Sequence, residues 1–347
     1  MDVARKSSRT TLREVARRAG VSISTISCVI NRTKAVRPET AARVQEAIQE
    51  LNYQPDTFAR GLRTKQSNTI GLVVSDITNL FFPDIARGVE DRAERDGFSV
   101  FLCNTDADPR REERYIQTLL SRRVDGIIFT SMRQDDHGVR NLWEDGFPIV
   151  LINRGVIGLD VDYVGSDNFG GAVRAVEYLI GLGHRRIAFI GGAHMSTASA
   201  DRRKGYEAAM AKHGINYNPG VVLEGSLKHE GGYAAARVLF NLPEPPTAIF
   251  AANDLMAFGV MDAAAGMGIR IPEDVSLIGF DDIKISSFSR IHLTTVRQAR
   301  YEMGQIAAEM IIDKICSKGG GVPHPRQVIL PCELVVRSTT ASPKQSS

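Results

Sequence analysis

The chain has 347 residues, of which 43% are hydrophobic and 24% charged, with a formal net charge of +3. That length suits two or three domains, and the balance is that of a folded globular protein. No run approaches the ~18 uninterrupted apolar residues of a membrane span, and residues 1–8 lack the apolar stretch of a secretory signal. The four cysteines (Cys28, Cys103, Cys316, Cys332) are scattered, without a CxxC or Cys/His cluster. A cytoplasmic protein with reduced thiols is expected, with no membrane partner, metal or cofactor. The net charge hides an asymmetry: residues 1–67 carry 13 Lys/Arg against 6 Asp/Glu, a net of +7, which leaves −4 on the remainder. A basic head on a mildly acidic body points to a polyanion bound at one end.

Thr11-Leu12-Arg13-Glu14 is a capping box, in which each of the outer two side chains can accept from the other residue's backbone N–H at a helix start. Leu12, Val15, Ala16 and Ala19 repeat at helical spacing, and Gly20 stops the helix. Ser22 can cap a second helix whose Ile26, Val29 and Ile30 turn inward. Two short helices joined by a glycine-containing turn make a helix-turn-helix. In that motif the second helix lies in the major groove with its early residues at base edges; the outward positions here are Ile23, Ser24, Thr25, Ser27 and Cys28. A third helix starts at Pro38 and runs through Ala41, Val44, Ala47, Ile48 and Leu51 to close a three-helix core. Such helix pairs also occur in proteins that never touch DNA; the basic charge favours the DNA-binding reading.

Thr11–Ala16, Ala19-Gly20-Val21-Ser22, Thr25-Ile26-Ser27 and Val29-Ile30-Asn31 resemble the headpiece of the LacI/GalR family of bacterial transcription repressors. Tyr53-Gln54-Pro55 with Ala59-Arg60-Gly61-Leu62 resembles that family's hinge helix. The resemblance implies a homodimer on a near-palindromic double-stranded operator, with both hinge helices in the minor groove and Leu62 wedged between base pairs, an unstacking that costs about a few kcal/mol. It adds Thr11, Ser22, Asn31, Arg60, Leu62 and Arg63 to the outward residues of the second helix as DNA contacts. A helix shorter than roughly ten residues does not recover its nucleation cost alone. The hinge is therefore expected to fold only with DNA and its partner hinge; an ordinary linker is the alternative. Ile23 and Ser24 stand where the family often has longer polar residues, and Cys28 where it often has Arg or His, which leaves the operator sequence open. Cys28 suits a thymine-methyl contact or a small filler; a redox sensor is the less favoured idea, since most free cysteines are inert.

After Thr69 short β-rich runs alternate with helices. Ile70–Val74, Ser99–Cys103, Gly126–Phe129 and Ile149–Ile152 read as buried strands, with helices over Asp84–Asp96 and Glu112–Arg122. A second series has strands Arg186–Gly191, Ala248–Ala251 and Val275–Gly279, with helices Gly170–Leu182, Arg203–Lys212, Gly232–Phe240 and Asp254–Met267. Two βαβ series mean two parallel sheets with right-handed crossovers, and ligands of such folds bind beyond the carboxyl ends of the strands, here between two lobes. The expected fold is therefore α/β: an all-α helix-turn-helix headpiece and a two-lobed, doubly wound effector domain. The resemblance extends over this region, which is similar to the type I periplasmic-binding-protein fold of that family. The expected organisation is a headpiece over 1–53, a hinge and linker over 54–67, and an effector-binding and dimerisation domain over 68–347. Its first lobe spans about 68–165 plus 297–324 and its second about 166–296 plus 325–337, followed by a flexible tail over 338–347. That tail is polar and lacks heptads, so a dimer is expected rather than a coiled-coil tetramer.

The resemblance makes the strand-end residues effector candidates. Phe81 and Phe82 offer an apolar wall, Arg202 sits where the family has its ligand-anchoring arginine, and Asn253, Asp281 and Gln298 end strands. Arg154 is a weaker candidate, and Leu227 stands where sugar- and purine-binding members often carry an aromatic; Phe81, Phe82 or Tyr163 would have to compensate. A carboxylate, an amide and a guanidinium together suit a polyhydroxylated ligand, a sugar or sugar derivative, with a nucleobase or other metabolite as the alternative. Singly, Asp281-Asp282 also read as turn residues, Asn253-Asp254 as a helix cap and Arg202 as an ion-pair partner. No Walker loop, GxSxG elbow or HExxH occurs. Gly191-Gly192-Ala193 lacks dinucleotide-site spacing, His184 reads as a capping or structural histidine, and adjacent Asp281-Asp282 should splay rather than form a catalytic dyad. An allosteric repressor is expected and not an enzyme. A solute-binding transport protein or an architectural DNA binder is less favoured.

Overall fold

A computed structural model describes residues 10–31, 34–53, 66–130, 137–153, 155, 158–192, 196–216, 218–317 and 324–344. The chain divides into two compact units, Met1–Ser67 and Asn68–Ser347. In the first, α1 (Leu12–Ala19) opens on the capping box: the Glu14 amide donates to Thr11 Oγ1 at 3.4 Å, and the Thr11 amide to the Glu14 carboxylate at 2.6 Å. That backbone N–H holds the Glu14 carboxyl below its usual range. Gly20 ends the helix in the left-handed region at φ 65°, where a side chain would be strained. The Ser22 hydroxyl accepts from the Thr25 amide at 3.1 Å and starts α2 (Ile23–Asn31); α3 (Pro38–Glu50) completes the unit. Val15, Ile26, Val44, Ala47 and Tyr53 form its core.

The second unit holds two six-stranded sheets. The first half runs β1 (Thr69–Val74), α4 (Phe81–Arg95), β2 (Ser99–Asn104), α5 (Pro109–Ser121), β3 (Gly126–Phe129), α6 (His137–Glu144), β4 (Ile149–Ile152) and β5 (Asp162–Ser166). The second runs α7 (Asn168–Gly181), β6 (Ile187–Gly191), α8 (Thr197–Lys212), β7 (Val222–Glu224), α9 (His229–Phe240), β8 (Ala248–Ala251), α10 (Asp254–Gly266), β9 (Ser276–Asp281) and β10 (Thr294–Arg297). Then come α11 (Arg300–Cys316), β11 (Gln327–Leu330) and β12 (Glu333–Val335). The orders are β11-β5-β4-β3-β1-β2 and β12-β10-β9-β8-β6-β7. All pairs are parallel except β10 with β12. In each sheet the second strand lies on one side of the first and the third on the other, and such a switch point opens a crevice at the carboxyl ends.

α11 lies on the first sheet, against β3, β4 and β5, and beside α4. The two helices touch backbone to backbone: a Cβ on Gly88 would stand 2.1 Å from the Tyr301 carbonyl oxygen, and one on Gly304 2.2 Å from that of Ile85. Only glycine fits at either place.

Three expectations need correction. β2 is not a buried strand: it is the free edge of its sheet, with Phe101 and Leu102 each 44% exposed and the Arg122 guanidinium over the Phe101 ring. Residues 325–337 do not all belong to the second lobe, because Gln327–Leu330 pairs with β5 in the first sheet and only Glu333–Val335 joins the second. The tail is not loose over 338–344. Buried Thr339 donates to the Leu277 carbonyl at 2.7 Å and accepts from the Thr294 amide at 2.9 Å, while the His184 ring holds the Ala341 carbonyl at 2.9 Å. These partners are more than 40 residues away in sequence, so polar composition alone could not reveal them.

Candidate functional site

On the head, α2 presents Ile23, 45% exposed, and Ser24, also exposed; Ser27 and Cys28 are half-buried. The Ser22 hydroxyl lies 2.7 Å from that of Ser24 and 2.9 Å from that of Thr25, a polar ridge at the helix start. The Thr11 hydroxyl is occupied by the capping box, and Asn31 ends α2. Arg60, Leu62 and Arg63 fall outside the described residues.

In the second unit a cavity of about 640 Å³ is lined by segments at the carboxyl ends of strands of both sheets: Ser75-Asp76 after β1, Asp106 after β2, Thr130 after β3, Ser226 after β7 and Asn253 after β8. This is the size of a small-ligand site. Phe81 and Phe82 wall it from the start of α4, packed edge to face with ring centroids 5.2 Å apart. Opposite them, Asp281 ends β9 at φ 120°. Its carboxylate accepts from Gln298 Nε2 at 2.6 Å and stands 3.5 Å from Arg202 Nη1.

The guanidinium of Arg202 is almost fully buried and held through Nε, Nη1 and one face. Nε donates to Asn168 Oδ1 at 2.8 Å, Nη1 donates to the Ala252 carbonyl, and the cation rests 3.8 Å from the Phe280 ring centroid. Burial pulls its pKa down and Asp281 opposes that shift. Beneath the cavity floor Asp254 is buried, accepting from the Ile283 amide at 2.9 Å and the hydroxyls of Ser286 at 2.6 Å and Thr295 at 2.5 Å. Burial, then the neighbouring Asp281, push its carboxyl up to about 7.

Of the sequence candidates, Phe81, Phe82, Arg202, Leu227, Asn253 and Asp281 line this cavity. Asn253 also caps α10, accepting from the Met256 amide at 3.0 Å, and donates to the Leu227 carbonyl at 2.9 Å. Gln298 is not among the lining residues; it stands behind Asp281 as a support. Arg154 falls outside the described residues. Tyr163 faces a neighbouring cavity of about 190 Å³ with Phe169, Asp201 and Ile329, and burial followed by Asp201 push its phenol up to about 12. Asp76, Asp106, Glu112, Thr130 and Ser199 were missed, although applying the strand-end rule to β1, β2 and β3 would have reached Asp76, Asp106 and Thr130.

Arg300 was also missed. It starts α11 and joins the two sides: Nη2 and Nε donate to Asp84 Oδ2 at 2.8 and 3.0 Å, Nη1 donates to the Asp281 carbonyl, and Nη2 to that of Asp282 at 3.1 Å. The Asp282 carboxylate turns away to Arg297 at 2.7 Å and Arg337 at 2.6 Å, so the adjacent carboxylates serve different partners.

Residues 11–56 match the lacI family of bacterial regulatory proteins, and residues 176–340 match a periplasmic binding protein-like domain. The chain is 35% identical to the HTH-type transcriptional repressor PurR of Haemophilus influenzae, over 96% of this chain and 99% of that protein. It is 38% identical to the ribose operon repressor of Escherichia coli, over 88% of this chain and 93% of the relative. Among solved structures, a lac repressor dimer bound to operator and an anti-inducer superposes with a TM-score of 0.84 at 29% identity, covering 96% of this chain and 100% of that one. A transcriptional regulator CelR in complex with cellobiose gives 0.72 at 34% identity, covering 95% and 100%. With a capped helix-turn-helix at one end and two parallel-sheet lobes around a ligand-sized cleft at the other, the chain belongs to the lacI family of bacterial regulatory proteins: it is a DNA-binding transcriptional repressor and not an enzyme.

Proposed function

We propose that this repressor works as a cytoplasmic homodimer on a near-palindromic operator and that a sugar or sugar derivative bound between the lobes controls its affinity for DNA. The observation that carries the reading is the cleft itself, where an aromatic wall at Phe81 and Phe82 faces the Asp281 carboxylate and the Asn253 amide. Sugars present apolar ring faces edged by hydroxyls, and such a site answers both. The ribose operon repressor at 38% identity and the cellobiose complex at 34% support the same ligand class. A nucleobase is the second reading, because the Phe81–Phe82 pair can also stack on a planar ring.

In the head, α2 would enter the major groove with Ile23, Ser24, Thr25, Ser27 and Cys28 toward the bases, while Thr11, Ser22, Asn31, Arg60 and Arg63 hold the backbone and Leu62 wedges the minor groove. The dimer is supported by the apolar edge of β2, where Phe101 and Leu102 lie open, and by the likeness to a repressor solved as a dimer on its operator. The two ligands must be coupled reciprocally: whatever the effector does to DNA affinity, DNA does to effector affinity. Fluorescence anisotropy on the chain's own operator, with and without D-ribose, cellobiose, guanine and hypoxanthine, tests this. One of the sugars should shift the operator Kd by about 5-fold or more. A shift by a nucleobase alone selects the second reading, and binding without any mutual effect removes the allosteric one.

A further inference from the structure

We infer that Arg300 is a positioning residue of the effector site. It is not among the described residues lining the cleft, yet it ties the strand end that bears the Asp281 carboxylate to the helix that bears Phe81 and Phe82. It thereby sets the gap in which a ligand is held. This rests on the reading of the cleft as the effector site.

Asp281 ends β9 in a backbone conformation that a strand does not supply. Its φ of 120° and the 52° of Asp282 are two consecutive departures from extended geometry, in a region that L side chains enter only under constraint. The turn parts the two carboxylates, Asp281 toward the cleft and Asp282 toward Arg297 and Arg337. The Arg300 guanidinium grips both peptide groups of that turn. Nη1 donates to the Asp281 carbonyl and Nη2 to the Asp282 carbonyl at 3.1 Å. Gln298 Nε2, donating to the Asp281 carboxylate at 2.6 Å, steadies the side chain from behind.

The same guanidinium reaches α4. Nε and Nη2 donate to one Asp84 oxygen at 3.0 and 2.8 Å, and Asp84 lies in the first turn of that helix, which opens on Phe81 and Phe82. A planar group with its donors in a fixed fork thus spans from the aromatic wall's helix to the carboxylate's strand end. Arg300 is itself held in place, because the carbonyl of the next residue, Tyr301, presses on Gly88, where a Cβ would stand 2.1 Å away. A ligand caught between an aromatic face and a carboxylate is sensitive to displacements of about 0.5 Å in either. Lysine, a single point charge, cannot reproduce the fork.

The test is isothermal titration of the full chain with D-ribose, cellobiose, guanine and hypoxanthine, continued in the variants with whichever of them the wild type binds. Arg300→Lys keeps the charge and loses the fork, and it should raise Kd about tenfold or more with the stoichiometry retained. Asp84→Ala should raise Kd about threefold or more. That side chain is 53% exposed, so its removal opens no core. Asp84→Asn leaves an oxygen for the guanidinium and should recover most of that loss. A role in folding alone would lower the fraction of chains that bind and leave Kd where it was. A wild-type Kd in either Arg300→Lys or Asp84→Ala therefore overturns the inference and leaves the effector reading standing. If the wild type binds none of these ligands, the reading of the cleft falls and the inference falls with it.

Discussion

Arg300→Met separates two ways in which one side chain can hold the lobes together. Arg300 spends Nε and one Nη2 bond on Asp84, and Nη1 with a second Nη2 bond on the carbonyls of Asp281 and Asp282. The Asp84 side chain is 53% exposed and rehydrates when Arg300 is lost, so that half contributes no more than about 1 kcal/mol. The carbonyls are different. Asp281 is buried, and both residues have positive φ, 120° and 52°, conformations that side-chain-bearing residues keep only when their surroundings impose them. A buried acceptor left unpaired costs about 1–3 kcal/mol. Methionine retains the apolar stem, so the expected loss is about 3 kcal/mol, or about 6–10 °C in the melting temperature of the body by circular dichroism. Asp84→Asn should cost under about 1 kcal/mol. If Asp84→Asn destabilises as much as Arg300→Met, the stabilisation resides in the ion pair and the argument from the carbonyls is wrong.

Three further outcomes are expected. Ala341 O can only accept, so the His184 ring carries its proton on Nε2, and burial pulls its pKa below 6.5. A base depressed in the folded state binds fewer protons there than in the unfolded chain. Its contribution is therefore full above pH 6.5 and is lost as the pH falls below it. Melting curves from pH 8 to 5 should record this acid limb, and His184→Gln should flatten it. Asp281→Ala strands the buried Arg202 cation and should cost the body about 3–5 kcal/mol. Asp281→Asn keeps an acceptor and should fold with unchanged basal operator affinity but no effector response; a full response in that variant removes Asp281 from the site. Leu62→Ala should weaken operator binding at least tenfold while leaving the effector Kd unchanged, and equal operator affinity removes the wedge.

What was legible in the sequence was local or periodic. Thr11 with Glu14, Gly20, and the strands Gly126–Phe129 and Ala248–Ala251 follow from capping, left-handed φ and runs of apolar residues, and each stands where those rules place it. Helix starts were read late: α8 begins at Thr197 rather than Arg203, because its cap Ser196 precedes a first turn without an apolar signal. The short edge strands β7, β11 and β12 gave no period to read, having three or four residues each. In the cleft, residue type identified Arg202 and Asp281 but not their use, since only the fold brings Asn168 to Arg202 and Gln298 behind Asp281. Arg300, whose partners Asp84 and Asp281 are 216 and 19 residues away, has no local signature at all.

The contact at Gly88 and Gly304 would constrain how a signal from the proposed effector site could travel. With the two backbones pressed together at these glycines, and Tyr301 bonded to Asp91 farther along, α4 and α11 are held at a fixed spacing. One end of that pair is the aromatic wall at Phe81 and Phe82; the other helix begins at Arg300, where the chain returns from the second sheet. A ligand that displaced the wall would then act on a pair of helices already anchored beside Asp281, and enlarging either glycine would disturb that pair without touching the lining of the cleft.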